Sequence, residues 1–204
     1  MANVLSIDIE TKNLSNEIGG WDKTHMFLVS TVATWDGNVA KIYVDNELTD
    51  SITKGEKQVF PLRQLKFDLD DHFKADGILL GHNIVAFDLP VLRDSMDIYC
   101  VRKYLKEERY IDTSKILLKS CGQRITLNNA VSNTLGDSKS LDSADAPALW
   151  KQGEYDTVVD YCLKDTKLCY DLWKYGQDNG FISAYTYDGG DLEDYNLSKI
   201  EVEW

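Results

Sequence analysis

The order of the apolar segments restricts this chain to few folds. Three segments rich in β-branched residues lie within the first 44 residues, at 3–9, 26–35 and 39–44. Asp36-Gly37 between the last two is a hairpin signal, so these strands are expected to pair antiparallel. After residue 60 the pattern alternates between helical spacing and short apolar runs. This order predicts an α/β protein whose mixed sheet combines a three-strand antiparallel meander with parallel strands and is flanked by helices.

The same periodicities predict the remaining elements. We expect helices over 61–73, 86–95, 126–135 and 154–175, and short strands over 78–80 and 110–111. Residues 181–204 resemble two β segments around an Asp-Gly-Gly turn, which would complete the sheet, cover one of its edges or bind a partner. Because the sequence has no repeat, low-complexity tract or linker, residues 1–204 are predicted to be a single domain with a C-terminal β extension over 181–204.

Composition indicates where in the cell the protein is expected and how it could bind nucleic acid. No apolar run approaches the roughly 18–20 residues of a membrane span, and the N-terminus has no signal-peptide pattern, so we expect an intracellular, cytoplasmic protein without a membrane partner. The four cysteines form no Cys-x-x-Cys pair, which argues against a zinc site. The net charge is −12, whereas proteins that bind nucleic acid through bulk charge are basic. If this protein binds nucleic acid, local groups or bound cations must supply the positive charge.

Asp8 and Glu10 stand two residues apart at the end of the first apolar strand. Side chains at i and i+2 lie on one face of a strand, close enough to share a metal ion. Asp-x-Glu occurs three times in the chain, and only this one ends an apolar strand. The alternative is a pair of solvated strand-end acids.

A second group of candidate residues follows the apolar strand at 78–80. The strand runs into a polar turn at His82 and Asn83, and Asp88 lies in the first turn of the next helix. Asp88 could instead offset the helix dipole. Phe87 could be a core aromatic residue, and His82 and Asn83 could simply cap the turn.

The third candidate pair is Tyr161 and Asp165 in the long helix. Positions i and i+4 share one helix face, so the phenol and the carboxylate point together. The alternative is a surface Asp beside a half-buried Tyr. Jointly, the strand, the turn and the helix supply four carboxylates in order, and such oxygen ligands suit two divalent cations, Mg²⁺ or Mn²⁺. Two such ions can activate water and stabilise the leaving oxygen of a phosphodiester.

These segments resemble the DEDD superfamily of 3′–5′ exonucleases, which has an RNase H-like fold. Residues 6–11 are similar to its first motif, and 83–88 match its second (Asn, three residues, an aromatic, Asp). Tyr161-x-x-x-Asp165 is similar to the third motif of the tyrosine subclass, found in proofreading domains of family A and B DNA polymerases. The histidine subclass carries a His where this chain has Asp160. With Asp112-Thr113 and 127–130 similar to the family's middle section, the resemblance covers about residues 3–178.

The resemblance implies a mechanism and a set of catalytic residues. Asp8, Glu10, Asp88 and Asp165 would hold two divalent cations, Mg²⁺ or Mn²⁺. Tyr161 would orient the attacking water, since a phenol with a pKa near 10 is a poor base at neutral pH. The reaction would cut the last phosphodiester at the 3′ end of single-stranded DNA or RNA, with DNA favoured, and release a nucleoside 5′-monophosphate.

The resemblance also implies residues that bind the terminal nucleotide. Thr11 and Asn83 would contact it, while Leu14 and Phe87 would wedge or stack against its base. The family often has a small, Gly-containing turn after Asp-x-Glu-Thr, and this chain has Lys12-Asn13 there instead. The base contacts are therefore less closely matched to the family than the carboxylates.

One segment of the chain is locally basic. Residues 93–124 carry eight basic and five acidic side chains with three interleaved tyrosines, a combination that suits phosphate contact and base stacking. The alternative is a solvated helix face above core tyrosines.

Two other functions compete with the exonuclease. One is a structure-specific endonuclease of the same RNase H-like fold, and the other is a non-catalytic nucleic-acid-binding or scaffold domain. A chance arrangement in an unrelated α/β protein would leave the four carboxylates apart in space. The sequence does not identify a protein partner and leaves a polymerase-like one open.

Overall fold

The computed structural model describes residues 3–141, 143–187 and 195–204. The main strands are β1 (Val4–Thr11), β2 (Val29–Trp35), β3 (Ala40–Val44), β4 (Lys57–Pro61), β5 (Ile78–Gly81) and β6 (Tyr110–Asp112). They form one six-stranded sheet in the order β4-β3-β2-β1-β5-β6. β1, β2 and β3 pair antiparallel, while β5 is parallel to β1 and β6 to β5. The predicted α/β class and mixed sheet are confirmed, and the arrangement is consistent with an RNase H-like fold.

The sheet has one strand that was not predicted. β4 pairs in parallel with β3 and forms the edge of the sheet. Its sequence, Lys-Gln-Val-Phe-Pro, lacks a clear apolar alternation, and an edge strand with one neighbour needs less apolar surface than a central one. The terminal proline also fits an edge position.

The described residues form eight α-helices. They are α1 (Ser15–Ile18), α2 (Leu65–Lys74), α3 (Asp88–Asp94), α4 (Tyr99–Lys106), α5 (Thr113–Cys121), α6 (Leu127–Thr134), α7 (Ala146–Lys151) and α8 (Tyr155–Asn179). α1, α4, α5 and α7 were not predicted, because each is short and presents few apolar periods. Within the described ranges, no helix is long and apolar enough to cross a membrane.

Strand β1 lies between two layers of helices. Ile7 and Ile9 enter the core cluster that includes residues of α2, α3 and α4. The intervening residues face α8, where the Ser6 hydroxyl donates a hydrogen bond of 2.8 Å to the Thr166 carbonyl. Asp8 and Glu10 continue this second face, so the alternation along β1 turns two carboxylates toward α8.

The C-terminal segment forms its own small sheet. β7 (Phe181–Tyr187) and β8 (Tyr195–Glu201) pair antiparallel and do not join the six-stranded sheet. β7 packs on α6, where the Thr134 hydroxyl donates to the Ser183 carbonyl at 2.9 Å, and β8 contacts α5. The two β segments were thus predicted, whereas the Asp-Gly-Gly turn predicted between them lies outside the described residues.

Candidate active site

A cavity of about 700 Å³ lies at the C-terminal end of β1. Its walls come from β1, the segment after it, the turn that precedes α3, the loop before α7, and α8. All nine residues singled out in the sequence line it: Asp8, Glu10, Thr11, Leu14, Asn83, Phe87, Asp88, Tyr161 and Asp165. The tertiary structure therefore brings three separate motifs to one cavity.

Asp88 is fixed against β1 by a backbone hydrogen bond. The Ile9 amide, between Asp8 and Glu10, donates to Asp88 Oδ1 at 3.1 Å. Asp88 is only 4% exposed because it stands at the first residue of α3 and points back to the sheet. This contact, between residues 79 positions apart, brings the third carboxylate beside the first two.

Tyr161 and Asp165 approach the same cavity from α8. They are one helical turn apart and almost fully buried, at 1% and 3% exposure. In the described part of the chain, Tyr161 Oη makes no hydrogen bond of normal geometry, and Asp165 Oδ1 has no partner. Both groups therefore keep unused hydrogen-bonding capacity directed at the cavity.

Lys139 places a cation among these acidic groups. Its Nζ lies 2.5 Å from Asp165 Oδ2 and 5.2 Å from the centre of the Tyr161 ring. The Asn128 side chain on α6 accepts a hydrogen bond of 3.0 Å from the Lys139 amide, which anchors the loop. The sequence offered no signal for this residue, because a single lysine in a polar loop is ordinarily solvated.

Burial and mutual repulsion disfavour the charged form of the carboxylates. Burial is the largest cause, and it raises the pKa of Asp8 and Glu10 well above the usual range and that of Asp88 to about 7. The negative charge of Asp88 further raises the pKa of Asp8, and that of Asp165 further raises the pKa of Glu10. Burial opposes the charge on Lys139, but Asp165 and its acidic neighbours outweigh it and raise the lysine pKa. Lys139 thus offsets only part of the rise in the carboxylate pKa values.

The four carboxylates are ligands that suit a divalent cation, although their oxygens do not converge on one position in this structure. As the side chains stand, no three His, Cys, Asp or Glu residues of the described chain are arranged to hold a metal ion. Yet Asp8 Oδ2 and Asp165 Oδ1 are buried with no hydrogen-bond partner in that same part of the chain. Buried, unpaired carboxylate oxygens are costly and are the ligands that Mg²⁺ and Mn²⁺ prefer. Side-chain movements would be needed to complete such a site.

The turn before α3 is held by a buried aspartate. Asp112 Oδ1 accepts a hydrogen bond of 2.9 Å from the Asn83 amide, and Asp112 Oδ2 accepts one of 3.0 Å from the Val85 amide. Asn83 adopts a left-handed conformation with φ of 68°, which asparagine tolerates better than most residues. His82 Nδ1 lies 2.9 Å from Thr113 Oγ1, and burial lowers the His82 pKa to about 4, so its ring is neutral. These contacts orient Asn83 toward the cavity.

Aromatic side chains form an apolar wall of the cavity. The Phe87 ring packs edge-to-face on Phe27, with centroids 5.0 Å apart, and on Trp21, at 5.4 Å. Thr11 is 7% exposed and donates its hydroxyl to the Asn13 carbonyl at 2.8 Å, and Leu14 lines the same region. Sequence reasoning singled out Phe87 but missed Trp21, which stands in a polar segment without periodicity.

The basic stretch 93–124 agrees only in part with the two interpretations offered for it, a nucleic-acid-binding surface and a solvated helix face above core tyrosines. Four of its eight basic side chains form ion pairs on the surface: Arg93 with Asp94, Arg102 with Asp97, Lys103 with Asp70, and Arg109 with Asp76 and Glu107. Tyr104 is fully buried, as expected for a core tyrosine, whereas Tyr99 is 66% exposed. Arg124 is the member of this stretch that lines the cavity.

In comparisons with known proteins, no family model matches the chain and no curated protein matches it.

Proposed function

We propose that this protein is a metal-dependent 3′–5′ exonuclease that hydrolyses single-stranded nucleic acid, preferentially DNA, to nucleoside 5′-monophosphates. The observation that carries the proposal is the convergence of Asp8, Glu10, Asp88 and Asp165 with Tyr161 at one cavity. These residues come from a strand, a turn and a helix that are far apart in the chain. A chance set of acids in an unrelated α/β protein would not be expected to meet in this way.

Asp8, Glu10 and Asp165 would hold one divalent cation, and Asp8 with Asp88 a second. When bound, such cations would activate water and stabilise the leaving oxygen of the phosphodiester. Among the described residues, Asp8 Oδ2 and Asp165 Oδ1 have no hydrogen-bond partner, and Lys139 neutralises only part of the charge of the four carboxylates, which supports this assignment.

Tyr161 contributes a neutral phenol. Burial, together with the charges of Asp165 and Glu10, raises the Tyr161 pKa above its usual value, so the hydroxyl keeps its proton at physiological pH. A neutral phenol is a poor base, and this hydroxyl lies beside Asp165 in the cavity wall, where it is suited to orient the attacking water by a hydrogen bond.

Lys139 would reduce the electrostatic repulsion between this acidic protein and an anionic substrate. A phosphate that approaches four carboxylates is repelled, and the overall charge of −12 adds to this repulsion. The Lys139 ammonium, fixed within the cavity, offsets part of that charge where the phosphodiester would lie. Arg124 adds a second cationic side chain to the wall.

The terminal nucleotide would occupy the rest of the cavity. Thr11 and Asn83 would contact its sugar and phosphate, whereas Leu14 and Phe87 would contact its base. The division of the cavity into an acidic end and an aromatic wall supports this orientation, because a nucleotide has one polar and one apolar end.

A non-catalytic nucleic-acid-binding domain is the second candidate function. The observation in its favour is the Lys139–Asp165 ion pair at 2.5 Å, in which an ammonium takes the carboxylate oxygen that a metal would use. In such a protein, Lys139 would be a permanent replacement for the metal.

Digestion of oligonucleotides would decide between these functions. We would incubate 5′-labelled single-stranded DNA and RNA, and a circular single strand, with Mg²⁺, Mn²⁺ or EDTA. The variant is Asp8→Ala, and the matched control is Asp160→Ala, which removes an exposed α8 carboxylate paired with Lys57.

A ladder that shortens from the 3′ end, requires metal and disappears only in Asp8→Ala would support the exonuclease. Cleavage of the circular strand would instead indicate an endonuclease. Binding without any cleavage, in folded protein with metal present, would favour the non-catalytic domain.

A further inference from the structure

Trp21 is exposed to a degree unusual for a tryptophan. Its side chain is 67% exposed, the highest value among the large apolar residues that the structure describes as exposed, yet it lines the active-site cavity. A large indole left in water costs free energy unless a ligand or partner covers it. Because Trp21 lines the cavity, a ligand bound there would cover the indole.

The indole rests on two other rings. Trp21 lies 6.0 Å from Phe27 and 5.4 Å from Phe87, measured between ring centroids. Phe27 is only 1% exposed, so this pair forms a fixed base beneath the indole. The aromatic wall is therefore organised before any ligand arrives.

The segment that carries Trp21 is tied to the helix that carries Asp88. The Thr24 hydroxyl donates to Asp94 Oδ2 at 2.6 Å, and Asp94 lies at the end of α3. On the other side, the Gly20 amide donates to the Ser15 carbonyl at 2.8 Å. These contacts fix the position of the indole relative to the carboxylates across the cavity.

We propose that Trp21 is a further substrate-binding residue, which stacks on an unpaired base at the cavity entrance. This inference rests on the proposed function and extends it, because stacking on Trp21 would select single-stranded ends over duplex ones. An aromatic platform accepts any base, since every base has a π face. A base within a duplex is already stacked and paired, so it must first fray to reach the indole. The protein would therefore show little sequence preference and a strong preference for unpaired 3′ termini.

Binding measurements test this inference separately from cleavage. A 5′-fluorescein-labelled oligothymidylate of eight nucleotides would be titrated with protein in Ca²⁺ and, in a second series, in EDTA, and its anisotropy recorded. The variants are Trp21→Ala and Trp21→Phe. The matched control is Phe67→Ala, because Phe67 is 54% exposed on α2 and is not among the residues that line the cavity.

We expect Trp21→Ala to weaken binding by about 5- to 150-fold, the range for loss of one base stack. Trp21→Phe and Phe67→Ala should stay within about twofold of wild type, since a ring is kept in the first and the cavity is untouched in the second. Oligothymidylate should also quench the intrinsic fluorescence of wild type, and this quenching should be absent in Trp21→Phe. A blunt duplex should bind more weakly and should not respond to Trp21→Ala.

Two results would overturn the inference, and they have different meanings. If wild type digests single strands while Trp21→Ala binds oligothymidylate as tightly as wild type, Trp21 is not a substrate contact and the exonuclease stands. If wild type neither binds nor digests any oligonucleotide, the proposed function fails and this inference fails with it. Circular dichroism of each variant establishes that the comparison is made on folded protein.

Discussion

Lys139 Nζ and Asp165 Oδ2 form an ion pair of 2.5 Å in the cavity. Asp165 belongs to the carboxylate cluster, which comprises Asp8, Glu10, Asp88 and Asp165. The Asp165 side chain is 4% exposed and that of Lys139 23%, so the pair is largely shielded from solvent. It joins the loop before α7 to the helix that carries Tyr161. Because the remaining carboxylates face it, this ammonium is the main positive charge that the protein itself supplies to the cluster.

Lys139→Met should destabilise the metal-free protein. The substitution keeps most of the side-chain volume but leaves the buried Asp165 without its counter-ion, at a cost of about 1–3 kcal/mol in the free energy of unfolding. Urea denaturation in EDTA measures this cost. The matched control is Lys164→Met, whose pair with Asp137 is largely exposed, so this variant should be nearly as stable as wild type. Equal stabilities for the two variants would show that the Lys139 pair is no stronger than a surface contact.

Tyr161→Phe should separate catalysis from stability. Among the described residues, the buried Tyr161 hydroxyl interacts with Asp165 but makes no hydrogen bond of normal geometry, so its removal should leave the thermal midpoint within about 2 °C of wild type. Cleavage of single-stranded DNA should fall by about 10²-fold or more, because the attacking water loses its orienting group. A variant that keeps full cleavage rates would remove Tyr161 from the mechanism.

Divalent cations should stabilise the protein through the carboxylate cluster. Millimolar Mg²⁺ or Mn²⁺ should raise the thermal midpoint of wild type, since a ligand that binds only the folded state stabilises it. In Asp165→Asn, which keeps the shape of the side chain but lowers its charge, the shift should be much smaller. Asp178→Asn, an exposed carboxylate on the same helix, is the control and should respond like wild type. A shift of the same size in all three proteins would mean that the cations bind elsewhere.

His82 should make stability fall as the solution becomes acidic. Burial lowers its pKa in the folded protein to about 4, from an ordinary value of 6.5. Between these two values the unfolded chain binds a proton that the folded protein does not, so the His82 contribution to stability declines as the pH falls from about 6.5 to 4. Urea denaturation across this range should show a shallower decline for His82→Gln than for wild type. Parallel curves would show that His82 titrates normally in the folded protein.

Some parts of the site were predictable because their geometry is local. Asp8 and Glu10 share a strand face because side chains alternate along any strand, and Tyr161 and Asp165 share a helix face because they are one turn apart. The meander was predictable from apolar runs and a hairpin signal. β4 was missed because a short edge strand carries little apolar periodicity, and its pairing with β3 depends on the completed sheet.

The sequence by itself determined the mixed α/β sheet and the four candidate carboxylates with Tyr161, since strand and helix periodicities are properties of neighbouring residues. Only the tertiary structure decided that Asp88 bonds to the Ile9 amide, that Lys139 pairs with Asp165, and that Trp21 stands exposed over Phe27 and Phe87. The physical reason is that a loop residue has no periodicity of its own. Its side chain takes the position set by the elements that pack around the loop, and those elements are distant in the chain.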